Sequence, residues 1–351
     1  VHVWGGTSWV QRGNDIDGEN ANDESGGAVS LSADGAVLAI GAIRNSGGGS
    51  HSGHVRVHAW SGTSWVRRGN DINGAASSDI SGGAVSLSAD GAVLAIGAGN
   101  HDGAGVNAGH TRVYAWDETA WVQLGTDIDG EAAGDASGGS SSRGTAVSLS
   151  ADGTVLAIGA SANDGGGFNS GHVRVHVWGG TSWVRRGSDI DGEAANDRSG
   201  DSVSLSADGL VVAIGANSND DAGSNAGHTR VYAWDETAWV QRCTDIDGEA
   251  AGDKSGGAVS LSADGAVLAI GAHVHDSFTG HVRVVEFFTP SPPPSPPPPF
   301  SPPSQPPSSP PPFSPPSQPP PMTPQPQSPS PAPSPPADVF VQINDCVDPA
   351  V

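Results

Sequence analysis

The segment GGAVSLSADGAVLAIGA, residues 26–42, returns with small changes at Gly82, Gly144, Gly200 and Gly256. The serine of its Ser-Ala-Asp-Gly step falls at Ser32, Ser88, Ser150, Ser206 and Ser262. The period is therefore 56 residues, with one spacing of 62 where the loop ASGGSSSRG carries six more. A repeat of this length is one supersecondary unit, too small to cover its own faces, so successive units must bury one another.

Each unit contains four strand-like pieces: AVSLS, VLAIGA, a segment such as VRVHAW and a segment such as TSWVQRG. Alternation, β-branched residues and Asp-Gly or Gly-Thr turns mark them as antiparallel strands. Asp34-Gly35 reads as a hairpin of type I′, whose positive φ angles suit Asp-Gly. No helical period occurs, and the first 289 residues contain no proline. Four antiparallel strands repeated radially predict an all-β fold, a β-propeller of four-stranded blades. The ten tryptophans recur two per unit in the third and fourth strands, as in Trp60 and Trp65, which suits packing between blades.

The blade pattern, followed by G-H-V-R-V-x-x-W-x-G-T-S-W-V-Q-R-G-x-D-I-D-G-E, resembles the FG-GAP-like repeats of secreted propellers, distant relatives of the integrin α-subunit head. The resemblance covers residues 1 to about 288 and implies a propeller, usually of seven blades. The chain departs from it at the first hairpin, where the short Ser-Ala-Asp-Gly replaces the D-x-D-x-D-G calcium loop, so that site does not carry over. The chain opens on a third and a fourth strand, and its last unit lacks a fourth strand. Five-plus repeats are present. Six or seven blades are expected if upstream or donated strands are included, with a five-bladed ring closed by residues 7–12 as the alternative.

The two longer loops of each unit emerge on one face. One is an acidic run that places Asp15, Asp17, Glu19 and Asp23 together, then Asp127, Asp129, Glu131 and Asp135. It recurs as Asp189, Asp191, Glu193, Asp197 and as Asp245, Asp247, Glu249, Asp253. Alternate carboxylates beside a glycine suit a hard cation, so Ca²⁺ is one reading. Capping of loop amides by aspartate is the other. The second unit, with Asp71, Asn73 and Ala75, is the weakest. His54, His110, His172, His228 and His281 recur once per unit, a spacing that predicts hydrogen bonding rather than zinc, which needs converging ligands. Arg56 and its equivalents sit mid-strand and are expected to pair with an aspartate of the same or the next blade.

No nucleophile elbow, phosphate-cradling loop or unit-specific Ser/His/Asp set appears, so the reading is non-enzymatic with no required cofactor. The net charge of −23, with 15 cationic side chains against 38 acidic ones, disfavours nucleic acid and anionic membranes. No apolar run reaches membrane-spanning length.

Residues 289–337 form the second segment, with 27 of the 28 prolines of the chain. Such a stretch adopts polyproline II and, at about 3.1 Å per residue, reaches on the order of 140 Å. Its Ser-Pro-Pro-Pro runs resemble the hydroxyproline-rich segments of plant extensins and green-algal wall glycoproteins. The resemblance implies O-linked glycans on hydroxyprolines, here Pro292, Pro293, Pro294, Pro296, Pro297, Pro298, Pro299, Pro302, Pro303, Pro310, Pro311, Pro312, Pro315 and Pro316. Residues 338–351 follow as a third segment. There Val339, Phe340, Val341, Gln342 and Ile343 repeat the W-V-Q pattern of a fourth strand, a docking strand for an open sheet edge. Cys243, standing where other units have Gly13, Gly69, Gly125 and Gly187, is a candidate disulfide partner for Cys346.

These features predict an extracellular structural glycoprotein of a cell surface, wall or appendage that associates head to tail with copies of itself. Wall polysaccharide or other matrix glycoproteins are further expected partners. The alternative is a calcium-dependent adhesion or carbohydrate-binding propeller on a glycosylated stalk.

Overall fold

The computed structural model describes residues 1–139 and 145–287, and the backbone of Phe340–Gln342. Val339, Ile343, Cys346 and the prolines of the second segment lie outside the described residues.

The fold is an all-β propeller of five blades. Blade 1 comprises Ser25–Leu31, Val37–Ala42, His54–Trp60 and Trp65–Arg67. Blade 2 comprises Ala84–Leu87, Val93–Ala98, His110–Trp116 and Trp121–Gln123, and blade 3 Val147–Leu149, Val155–Ala160, His172–Trp178 and Trp183–Arg185. Blade 4 comprises Ser202–Leu205, Val211–Ala216, His228–Trp234 and Trp239–Gln241. Blade 5 has Ser255–Leu261, Val267–Ala272 and His281–Glu286, with Phe340–Gln342 beside the last. A hairpin of His2–Trp4 and Trp9–Gln11 precedes blade 1. A single helical turn, His275–Phe278, contains the left-handed residues Asp276 and Ser277.

The first strands line the middle of the array and are laced together from blade to blade. Ser30 Oγ accepts from Leu87 N at 2.9 Å, and Ser86, Ser148 and Ser204 repeat the contact. Ala33 N donates to Ala89 O at 2.8 Å, and the same bond recurs from Ala89, Ala151 and Ala207. In the hairpin, only the glycine is left-handed (Gly35 φ 65°), and Asp34 is not. The turn is therefore not type I′: Gly35 N closes onto Ser32 O, Ser32 Oγ donates to Asp34, and the glycine follows as a left-handed residue.

The core lies between blades rather than within them. Val37, Ala39, Val55 and Val57 of blade 1 share one cluster with Leu87, Leu94, Ile96 and Tyr114 of blade 2. Full burial of each large aliphatic side chain contributes roughly 1.5–3 kcal/mol. Further out, Trp65 Nε1 donates to Arg12 O at 2.8 Å, and Trp121, Trp183 and Trp239 reach back to the preceding unit in the same way. Arg12 and Arg68 lie over the next Trp60 and Trp116 rings at 4.8 and 4.9 Å. The tryptophans of blades 1 to 4 thus serve packing between units, as their recurrence predicted, whereas Trp4 and Trp9 of the first hairpin are exposed.

Closure by residues 7–12 does not occur. Trp9–Gln11 pairs with His2–Trp4, and the edge of blade 5 is held by Phe340–Gln342. That strand runs parallel to its neighbour, with Val285 opposite Val341, whereas every other fourth strand runs antiparallel. A short hairpin forces antiparallel pairing; a strand returning from a long connection is free of that constraint.

Candidate functional site

After each short fourth strand the chain bends at Gly69, Gly125 and Gly187, then returns beside the start of the third strand. Ile128–Asp129 pairs there with His110 and Thr111, and Ile72–Asn73, Ile190–Asp191 and Ile246–Asp247 do the same in their blades. This second pairing brings the acidic run against the recurrent histidine. The sequence reading missed it because a two-residue strand has no periodicity to detect.

The four carboxylates of one run consequently have separate tasks. The first accepts from, or pairs with, a side chain four residues back: Asp15 with Gln11, Asp127 with Gln123, Asp245 with Gln241, Asp189 with Arg185. The second, at Asp17, Asp129, Asp191 and Asp247, offers its backbone carbonyl to Arg56, Arg174, Arg230 and Arg283 of the following blade. These buried guanidinium groups were expected to meet an aspartate carboxylate. They meet an aspartate carbonyl of the preceding unit instead, with Glu19, Glu131 and Glu193 at 3.5–3.8 Å from Arg56, Arg174 and Arg230. The fourth, at Asp23, Asp135 and Asp197, accepts the side-chain amides of Asn45, Asn163 and Asn219 and caps its own loop. Asp253 takes His275 Nδ1 at 2.9 Å in place of an asparagine.

The carboxylates of one run therefore do not form a common oxygen cage. Donors from two successive runs instead converge on the histidine in blades 1, 3 and 4, and a second histidine joins the group in blades 2 and 5, against the expectation that one histidine per blade would stand alone. His54 lies with Glu19 and Asp71; His172 with Glu131 and Asp189; His228 with Glu193, Asp221 and Asp245. His110 lies with His101, Asp127 and Asp129, and His281 with Glu249 and His275. In each group the donor atoms lie within 4.8 Å of one another. His54, His110, His172 and His228 are fully buried. Burial, reinforced by neighbouring arginines, depresses their pKa values, that of His110 to about 4 with the adjacent His101 contributing. Their rings are neutral at physiological pH and carry a free lone pair. Burial raises the pKa of Glu193 beside His228.

Two faces at the ends of the array are uncovered. Val29 and Leu31 of blade 1 are 60% and 47% exposed, whereas the equivalent Leu87, Val147, Leu149, Val203 and Leu205 are buried. Val282 of blade 5 is 68% exposed, whereas Val55, Thr111, Val173 and Thr229 are completely buried. The glycine of the second strand tells the same story. A Cβ on Gly41 or Gly215 would stand about 2 Å from a carbonyl of the next blade, while one on Gly271 would meet only its own blade at 3.6 Å.

Cys243 is buried in the cluster with Phe287. At Gly69 and Gly187 a Cβ would press on the Trp116 or Trp234 ring of the following blade at 2.8–2.9 Å. Phe287 replaces that tryptophan in blade 5, which leaves room for the cysteine side chain.

No protein-family model matches the chain, and no curated protein does. Solved structures match at the level of fold. A putative 6-phosphogluconolactonase from Bacteroides uniformis is 12% identical with a TM-score of 0.50, over 76% of this chain and 68% of that one. Hydrazine synthase of Kuenenia stuttgartiensis is 15% identical, TM-score 0.48, over 79% and 66%. TolB from Acinetobacter baumannii is 14% identical, TM-score 0.44, over 74% and 51%. The chain thus spans less than two thirds of the length of the last two, and the likeness to the first shows the propeller fold alone. Among the described residues no helix is long and apolar enough to cross a membrane.

Proposed function

We propose that this chain is an extracellular, non-enzymatic structural protein of FG-GAP-like type that associates head to tail with copies of itself, its proline-rich arm carrying O-linked glycans. The observation that carries the reading is the pair of uncovered faces. The blade 5 face with Val282 and the blade 1 face with Val29 and Leu31 are the two halves of the contact made at every internal junction. A second copy therefore presents a surface that already fits. Each face offers a heterologous contact, which propagates into open filaments unless the rotation closes a ring. The terminal strand adds a second link when exchanged between copies, since backbone pairing at a sheet edge tolerates either source.

Sedimentation and electron microscopy of the full chain test this. The expected result is concentration-dependent chains that Val282→Glu or Val29→Glu reduces to monomers. Removing residues 338–351 should weaken them. A monodisperse monomer at concentrations well above micromolar sinks the proposal.

A further inference from the structure

The histidine–carboxylate groups at the blade junctions have the composition of metal sites. The Nδ1 atoms of His110 and His228 are buried without a hydrogen-bond partner. Each faces carboxylate oxygens: Asp127 at 3.3 Å from His110, and Glu193 and Asp245 at 3.7 and 3.8 Å from His228. These separations exceed the usual hydrogen-bond length of about 2.7–3.2 Å. They approach the edge of a tetrahedron, about 3.3–3.4 Å, drawn by ligands about 2.0–2.1 Å from a central zinc ion.

Comparison of the five repeats supplies an independent argument. Blades 1, 3 and 4 have asparagine (Asn45, Asn163, Asn219) three residues after the second strand; blades 2 and 5 have His101 and His275 there. Either residue type meets the loop aspartate, so that contact does not require histidine. The two exceptions fall where one of the two adjoining acidic runs supplies no carboxylate. Ala75 stands where blade 1 is served by Glu19, and blade 5 has no fourth strand followed by an acidic run. In both, the substituted histidine joins the donor group, bringing it to four members at blade 2 and to three at blade 5. Asp253 holds Nδ1 of His275 by a hydrogen bond, the carboxylate support that orients metal-binding imidazoles and leaves Nε2 as ligand, and Asp79 lies 3.2 Å from Nδ1 of His101.

We propose that these groups bind divalent zinc or a similar borderline transition-metal ion, which at His54, His172, His228 and His281 ties the acidic run of one unit to the histidine of the next. Mixed imidazole and carboxylate donors favour zinc over calcium, which takes six to eight oxygens.

The test uses the full chain stripped with a chelator, then titrated with zinc and with calcium by calorimetry and metal analysis. Zinc should bind saturably at several equivalents per chain, undiminished by calcium in about tenfold excess. His275→Asn installs the residue of blades 1, 3 and 4 and leaves only Glu249 and His281, so about one equivalent should be lost. His101→Asn should weaken another site, and Ala75→Glu in that background should restore it. Failure to retain zinc, displacement by calcium, or unchanged stoichiometry in His275→Asn overturns the proposal.

Discussion

At the scale of the residue, the bend after each fourth strand shows how a neighbouring blade selects an amino acid. Gly69 has φ 81°, and a Cβ there would lie 2.9 Å from the Trp116 ring and 3.1 Å from Trp121. Left-handed backbone costs a non-glycine residue roughly 1–2 kcal/mol, and overpacking adds roughly 1–3 kcal/mol. Gly69→Ala should therefore lower stability by about 2–5 kcal/mol in urea unfolding. An effect below about 1 kcal/mol would show that the tryptophan yields freely. Cys243 escapes the constraint because its φ is not left-handed and Phe287 has replaced the next tryptophan. The substitution was legible in the sequence as a break in the repeat. Its packing cause was not, because it lies in the following unit.

At the scale of the element, the third strands alternate two solutions at one position. His58 and His176 lie opposite Arg67 and Arg185, whereas Tyr114 and Tyr232 lie opposite Gln123 and Gln241. Burial foremost, then Arg56 and Arg67 for His58 and Arg174 and Arg185 for His176, lowers both histidines to about 4. Both are neutral in the fold, while an unfolded histidine protonates near 6.5. Their contribution to stability is complete above pH 6.5 and is lost as pH falls through 4. The shift corresponds to roughly 3 kcal/mol per histidine at most. The double variant His58→Tyr, His176→Tyr borrows the residue of blades 2 and 4 and should flatten the loss of stability between pH 6.5 and 4. Identical acid profiles for variant and parent would remove the histidines as its cause.

At the scale of the whole molecule, stability in a repeat array is a sum of units and nearest-neighbour contacts. Blade 3 is covered on both faces, whereas blades 1 and 5 each leave one bare. Amide exchange in the monomer should be slowest in Val155–Ala160 and His172–Val175 and faster in the first strand of blade 1. Association should slow exchange at the terminal blades selectively. Uniform protection from blade 1 to blade 5 would indicate that the ends are covered in solution.

The repeat period, the strand alternation and the turn residues were enough to determine the blade and its recurrence, because those signals are local and recur five times. The contact role of the tryptophans followed from the same recurrence. Where the acidic runs go was decided only in three dimensions. Ile128–Asp129 and its equivalents fold back on the third strand, and blade packing then sets Glu19 beside His54 and Glu193 beside His228. Residues from adjoining units thus meet at one point, through contacts that no single repeat contains. Tertiary structure likewise decided the direction of the terminal strand and the bare faces of the end blades. Both depend on which neighbour is present, whereas the residues themselves match those of the covered blades.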